Sequence, residues 1–199
     1  MATLVLALLV VASVAWWRAL TPPAWWSVAA ANPELAERLE SSLIDQATRV
    51  RPSPESWAVA VDERSVNAWL AGRLESWLRS RGERPSEVAG ACVRITDGEI
   101  FAAARVEGGR VVWSASVKPD VSEGSLRLAV TSAAMGRLSV PASWIAHGLG
   151  NTLGAQTNGS TVVLGSALGL ADRRRVEVLA VDCREGVITL TCRTLPRGG

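Results

Sequence analysis

Apolar residues recur along this chain with two different periods, and the change from one to the other divides it. From Leu35 to Leu78 the spacing is near 3.6, the mark of helices with one buried stripe; from Val93 to Val130 it is two, the mark of strands with one buried face. Asn32-Pro33-Glu34 reads as a helix start, with a capping side chain, proline at the first helical position and an acid in the first turn. Leu35, Leu39, Leu43, Ala47 and Val50 share its stripe, and Pro52 and Pro54 stop it. A second helix is predicted from near Asp62 to about Arg81, with Val66, Trp69, Leu70, Leu74, Trp77 and Leu78 on one face and Arg64, Arg73, Glu75 and Arg79 on the other. A polar linker, Gly82 to Ala89, follows.

In the period-two region Asp97-Gly98 predicts a tight turn that sets Ile95 against Ile100 and Val93 against Ala102. Gly108-Gly109 predicts another, pairing Val106 with Val111 and Ala104 with Trp113, so the same residues stay on one face. That strand, from Arg110 to Val117, is expected to end at Lys118-Pro119-Asp120, and after Glu123-Gly124 a further strand points Leu126, Leu128 and Val130 inward. Gly136 to Pro141 leads into a short helix from Ala142 to about Leu149, and Gly148 to Gly159 reads as a glycine-rich loop. The last hairpin turns at Glu185-Gly186, with Cys183 opposite Ile188, Val181 opposite Leu190 and Leu179 opposite Cys192.

Ahead of all this, Ala2 to Trp17 carries no charge and ends in Trp16-Trp17-Arg18, followed by Pro22-Pro23 and Trp25-Trp26. Tryptophan favours the headgroup level of a bilayer, so Trp16, Trp17, Arg18, Trp25 and Trp26 are candidate membrane-interface residues. Roughly 17 residues reach about 25 Å as a helix, slightly short of the ~30 Å hydrocarbon core. A transmembrane anchor is the leading expectation. A secretory signal cut after Ala15 or Ala31 competes with it, although no basic residue precedes the apolar run, and so does a buried core helix.

Composition narrows function mainly by exclusion. With 199 residues and 48% hydrophobic positions the chain can bury a real core, and 21 basic against 19 acidic residues leave a net charge of +2, too little and too scattered for nucleic acid. The three cysteines, Cys92, Cys183 and Cys192, lack metal-ligand spacing, and the predicted register holds Cys183 and Cys192 too far apart for a disulfide. No metal or cofactor is expected. His147, the one histidine, has neither nucleophile nor orienting acid in its local string PASWIAHGLG, so a helix C-terminal cation or a pH-sensitive contact is its expected role. Gly148 to Gly154 lacks the preceding strand and the Lys-Ser or Lys-Thr of a phosphate loop. Arg173-Arg174-Arg175 reads as a solvated turn, or as a contact to anionic headgroups if it lies beside a bilayer.

The runs WAVAVDERSVNAWLAGRL (Trp57 to Leu74), VRITDGEIFAAARV (Val93 to Val106) and SVKPDVSEGSLRLAVTSAAMGRLSVPASWI (Ser116 to Ile145), with the closing VDCREGVITLTCRT, resemble the YpmS-type family of bacterial membrane-anchored proteins, related to the tubular lipid-binding (TULIP-like) proteins. The resemblance covers roughly residues 57 to 195 and rests on small structural residues. It implies an N-terminal anchor, a domain outside the cytoplasmic membrane, and a bent sheet wrapped round a long helix. It brings no catalytic residues. The tryptophan-rich N-terminal segment, the glycine-rich stretch after His147 and the segment from Thr161 to Arg175 depart from the pattern.

The resulting expectation is an α+β chain: residues 1–31 a membrane anchor or signal with an aromatic belt, 32–56 an amphipathic helix and Pro-rich linker, and 57–196 a TULIP-like half barrel in which a long amphipathic helix packs on a bent antiparallel meander. Trp69, Leu70, Leu74, Trp77, Val111, Trp113, Leu126 and Leu128 are the candidate lining of a lipid groove, and their faces are equally compatible with a filled core. The expected function is a non-catalytic, single-pass protein of the bacterial cytoplasmic membrane, facing outward, with membrane lipid as its ligand. The alternative is a scaffold within an envelope protein complex.

Overall fold

The computed structural model describes residues 2–49, 55–80, 88–106, 110–169 and 175–195. Along the chain lie α1 (Ala2–Leu20), α2 (Pro33–Thr48), β1 (Ser56–Asp62), α3 (Glu63–Ser80), β2 (Val88–Thr96), β3 (Glu99–Val106), β4 (Val112–Ser122), β5 (Ser125–Met135), β6 (Leu138–Ser139), α4 (Ala142–Leu153), β7 (Gln156–Asn158), β8 (Thr161–Gly165), β9 (Ala167–Gly169), β10 (Arg175–Arg184) and β11 (Val187–Leu195). The fold is α+β, with four helices and two antiparallel sheets among the described residues. One sheet runs β2-β3-β4-β5-β8-β7, with β6 paired to β5; the other runs β1-β11-β10-β9.

The meander follows the sequence register. Ile95 pairs with Ile100, Val93 with Ala102 and Ala104 with Trp113. The Gly108-Gly109 turn lies outside the described residues, as do Pro52, Pro54, most of the Gly82 to Ala89 linker, and Arg173 and Arg174. β4 does not stop at Lys118-Pro119: it continues to Ser122, with Pro119 opposite Leu128. Its pairing with β3 ends at Val117, so Pro119, which has no N–H to give, stands where that side of β4 has no ladder to serve. The following turn places both Glu123 and Gly124 at positive φ, 53° and 69°.

The C-terminal hairpin pairs Cys183 with Ile188 and Val181 with Leu190, but a bulge leaves Leu179 out of register, and Val178 instead faces Cys192. The bulge keeps Val176, Val178 and Cys192 in one cluster, over which Trp57, Val121 and Leu190 pack. Trp57 belongs to β1, a strand that the sequence reading did not assign at the start of the 57–196 domain; its alternation Trp57, Val59, Val61 was the available signal. The two sheets are stitched at their turns: Gly186 N donates to Ile95 O at 3.0 Å, Gly98 N to Cys183 O at 3.0 Å, and Glu63 N to Gly186 O at 2.8 Å.

The long helix α3 lies along the edge of β2, not across the middle of the meander. Val93 is satisfied on both backbone atoms by Asn67, at 2.7 and 2.8 Å, and Ile95 N donates to Glu63 at 2.7 Å. α3 therefore shields a strand edge that would otherwise invite pairing. Its N-terminus is capped by Asp62, which accepts from the Ser65 amide at 2.9 Å and the Ser65 hydroxyl at 2.6 Å. α4 covers the other half of the meander, where Val130, Ala146 and Val162 are buried with Leu128, Ile145 and Leu149 around them. The expected glycine-rich loop is thus half helix. α4 extends to Leu153 and closes on a left-handed Gly154, and β7 and β8 complete the segment. Gly150 is small because a Cβ there would come within 2.3 Å of Thr157 Cγ2.

The expectation of a transmembrane helix is corrected: among the described residues, no helix is long and apolar enough to cross a membrane. α1 has 19 residues, about 28 Å at 1.5 Å each against a ~30 Å core, and its last turn belongs to the domain. Ala19 is 3% exposed, Arg18 O accepts from Arg137 N at 2.8 Å, and Gly136, at φ 61°, faces the Ala19 carbonyl so closely that a Cβ would lie 2.1 Å from its oxygen. Beyond that joint nearly all the described side chains are bare: Val11 is 65% exposed, Trp16 68% and Trp17 66%.

Candidate apolar trough

α3 and α4 approach the same face of the meander from opposite sides and leave a gap. Because Ala102 pairs with Ala115 and Ala104 with Trp113, these four residues share that face with Val93. Three of them are alanines, so the floor between Leu70 of α3 and Ile145 of α4 stays low. The result is an open groove of about 250 Å³ lined by Leu70, Ala102, Ala104, Trp113, Ala115 and Ile145 among others, with almost no polar surface. Leu70 and Ala91 also line a neighbouring cavity of about 510 Å³, whose walls include Val28, Leu74, Glu75, Arg79 and Gly90.

The eight groove candidates read from sequence are thereby separated. Leu70 and Trp113 meet in the groove, and Leu74 lines the adjoining cavity. Trp69 and Trp77 turn to α2: Trp69 Nε1 donates to Glu40 at 2.8 Å, and the two indoles stand edge to face at 6.2 Å with Arg73 and Glu40 beside them. Trp69 and Leu70 are 100° apart on a helix, and a stripe that wide serves two neighbours at once. Leu128 packs beneath α4, Leu126 pairs across to Val121 and Leu164, and Val111 immediately precedes β4. Sequence reasoning missed Ile145 and the alanine floor. Ile145 is 75 residues from Leu70, and alanine carries no signal of its own in a pattern search.

The five interface candidates divide as well. Trp16 and Trp17 are exposed on α1, with Arg18 at its base. Trp25 and Trp26 instead pack on the opposite face of the meander, against Cys92, Ala103 and Val112. Trp25 meets Phe101 edge to face at 5.9 Å; Trp26 donates to Gly90 O at 3.2 Å and lies under the Arg105 guanidinium, 4.9 Å from its ring centroid. The segment after α1 is therefore strapped to the sheet, and Val28 continues it as a wall of the larger cavity.

The reactive side chains are occupied in ordinary ways. Burial pushes the Cys92 and Cys183 thiols up, away from thiolate chemistry at neutral pH. His147 is exposed on α4, with Nδ1 2.7 Å from the Ser143 carbonyl one turn back, a bond that requires the proton on Nδ1. Ser116 is buried and shares a hydrogen bond with Thr131, which donates to Glu99 at 3.2 Å. No cluster of three or more potential metal ligands occurs among the described residues. Comparison with protein-family models, curated proteins and solved structures found no match to this chain.

Proposed function

We propose that this chain is a non-catalytic protein of the bacterial cell envelope, resting on the outer surface of the cytoplasmic membrane through the exposed apolar side chains of α1, with an apolar trough that binds lipid. The observation that carries the reading is the alanine-floored groove between Leu70 and Ile145. An apolar trench with so little polar lining has nothing to offer a polar substrate, while it recovers free energy when hydrocarbon covers it. Its ~250 Å³ lies just under the ~300 Å³ at which small-molecule sites begin, a size for part of a lipid. The bare apolar surface of α1 supports membrane attachment: valines and tryptophans 51 to 68% exposed between Val5 and Trp17 are poor company for water and good company for acyl chains.

The YpmS-type resemblance supports the same location, and α3, packed beside both β2 and β1, supports a TULIP-like half barrel. The scaffold alternative draws on Ile44 and Trp144, 62% and 61% exposed on α2 and α4, as points of protein contact. The test separating the two is extraction of the full chain from membranes followed by lipid analysis of the washed protein. Lipid binding predicts stoichiometric acyl-bearing lipid with the parent and much less with Ala102→Leu, which raises the groove floor. Equal traces in both would refute it.

A further inference from the structure

The groove and the larger cavity lie side by side along α3, and the two together restrict the class of lipid; this inference rests on the lipid-binding reading above. They share Leu70 and Ala91 as walls, which places both against the same stretch of α3. Along α3 the lining changes character: Leu70, Ala71 and Leu74 come first, then Glu75 and Arg79 toward the helix C-terminus. The nine helical steps from Leu70 to Arg79 span about 13.5 Å at 1.5 Å each. That is close to the ~15 Å of one leaflet's hydrocarbon, half of a ~30 Å core.

We propose that the trough takes a single-chain amphiphile with a zwitterionic, phosphate-bearing headgroup, its chain end in the alanine-floored groove and its head at Glu75 and Arg79. A single chain matches the groove's volume of about 250 Å³. The headgroup class follows from charge. Arg79 Nη2 lies 2.6 Å from Glu75 Oε1, with side chains 64% and 70% exposed, so the pair is solvated and easily redirected. A guanidinium matches phosphate with two parallel N–H donors. When Arg79 turns to a phosphate, Glu75 is left beside it unpaired, and a cationic group on the same head restores the balance. A purely anionic head would instead face an uncompensated carboxylate, and an uncharged alcohol would leave the ion pair as it is.

Three probes with one dodecyl tail test this on the full chain held in an amphipathic polymer: dodecanol, dodecyl phosphate and dodecylphosphocholine. The expected order puts dodecylphosphocholine about tenfold tighter than dodecanol, one charge-assisted contact's worth. Arg79→Gln should erase that advantage while dodecanol binding stays unchanged, which also certifies the variant's fold; Glu75→Gln should move the preference to dodecyl phosphate. Equal binding of all three probes, or an advantage that survives Arg79→Gln, overturns the headgroup assignment and leaves lipid binding standing. Dodecyl phosphate binding the parent as tightly as the zwitterion overturns the zwitterionic choice. If not even dodecanol binds, the lipid-binding reading falls, and this inference with it.

Discussion

Asp62 sits where β1 becomes α3, and the whole orientation of α3 along β2 depends on a clean start there. The Ser65 hydroxyl, then the amides of the first turn, hold its carboxyl below the usual carboxylate range. A group whose folded-state pKa is depressed stabilises fully above its unfolded value, about 3.9, and loses that contribution as pH falls through the lower folded value. Asp62→Ala should therefore cost about 1 kcal/mol in urea melts at pH 7, the usual worth of such a cap. The gap between parent and variant should narrow as the pH drops below 4; a constant gap would mean the carboxylate is not what caps the helix. At this scale the sequence was informative wherever one residue implied one local geometry, as with Asn32, whose side chain accepts from Leu35 N at 3.1 Å. It was silent where the geometry came from elsewhere: the Leu179 bulge follows from which face the Val176, Val178 and Cys192 cluster needs, and Trp25 and Trp26 are claimed by a sheet whose nearest strand begins more than 60 residues later.

Among the elements, the joint between α1 and the β5–β6 turn is the most specific prediction the fold makes. Gly136 combines a left-handed backbone with an approach to the Ala19 carbonyl that tolerates no side chain. Gly136→Ala should cost at least the ~1–2 kcal/mol of a left-handed alanine, and it should free the end of α1, speeding tryptic cleavage at Arg18. Parent-like melting and cleavage would contradict the joint. Element boundaries were legible where period and turn residues agreed, as in the β2 to β4 meander. They were misread where small residues were dictated by packing: Gly148 and Gly150 looked like loop, yet both lie in α4, and position 150 is glycine because Thr157 leaves no room for a Cβ. β1 was missed for a related reason, since seven residues next to a proline-rich stretch carry too little pattern to outweigh the prolines, and its partner β11 is remote in sequence.

For the molecule as a whole, the α+β class and the meander could be read from periodicity, whereas the split into two sheets could not, because hairpins report only on neighbouring strands. The groove was half legible. Leu70 and Trp113 were in the right place, but Trp69 and Trp77 went to α2, since a period cannot say which of two neighbours an apolar stripe will serve. What holds the functional account together is that the space between Leu70 and Ile145 is available to hydrocarbon. The direct measurement is a titration of the full chain with a fluorescent fatty-acyl probe, comparing the parent with Ala102→Leu, whose longer side chain rises from the groove floor. The account predicts saturable uptake of one probe per chain by the parent and at least a tenfold weaker affinity for the variant, about 1.4 kcal/mol, within the reach of one displaced hydrophobic contact. Uptake that does not saturate, or that Ala102→Leu leaves unchanged, would contradict it.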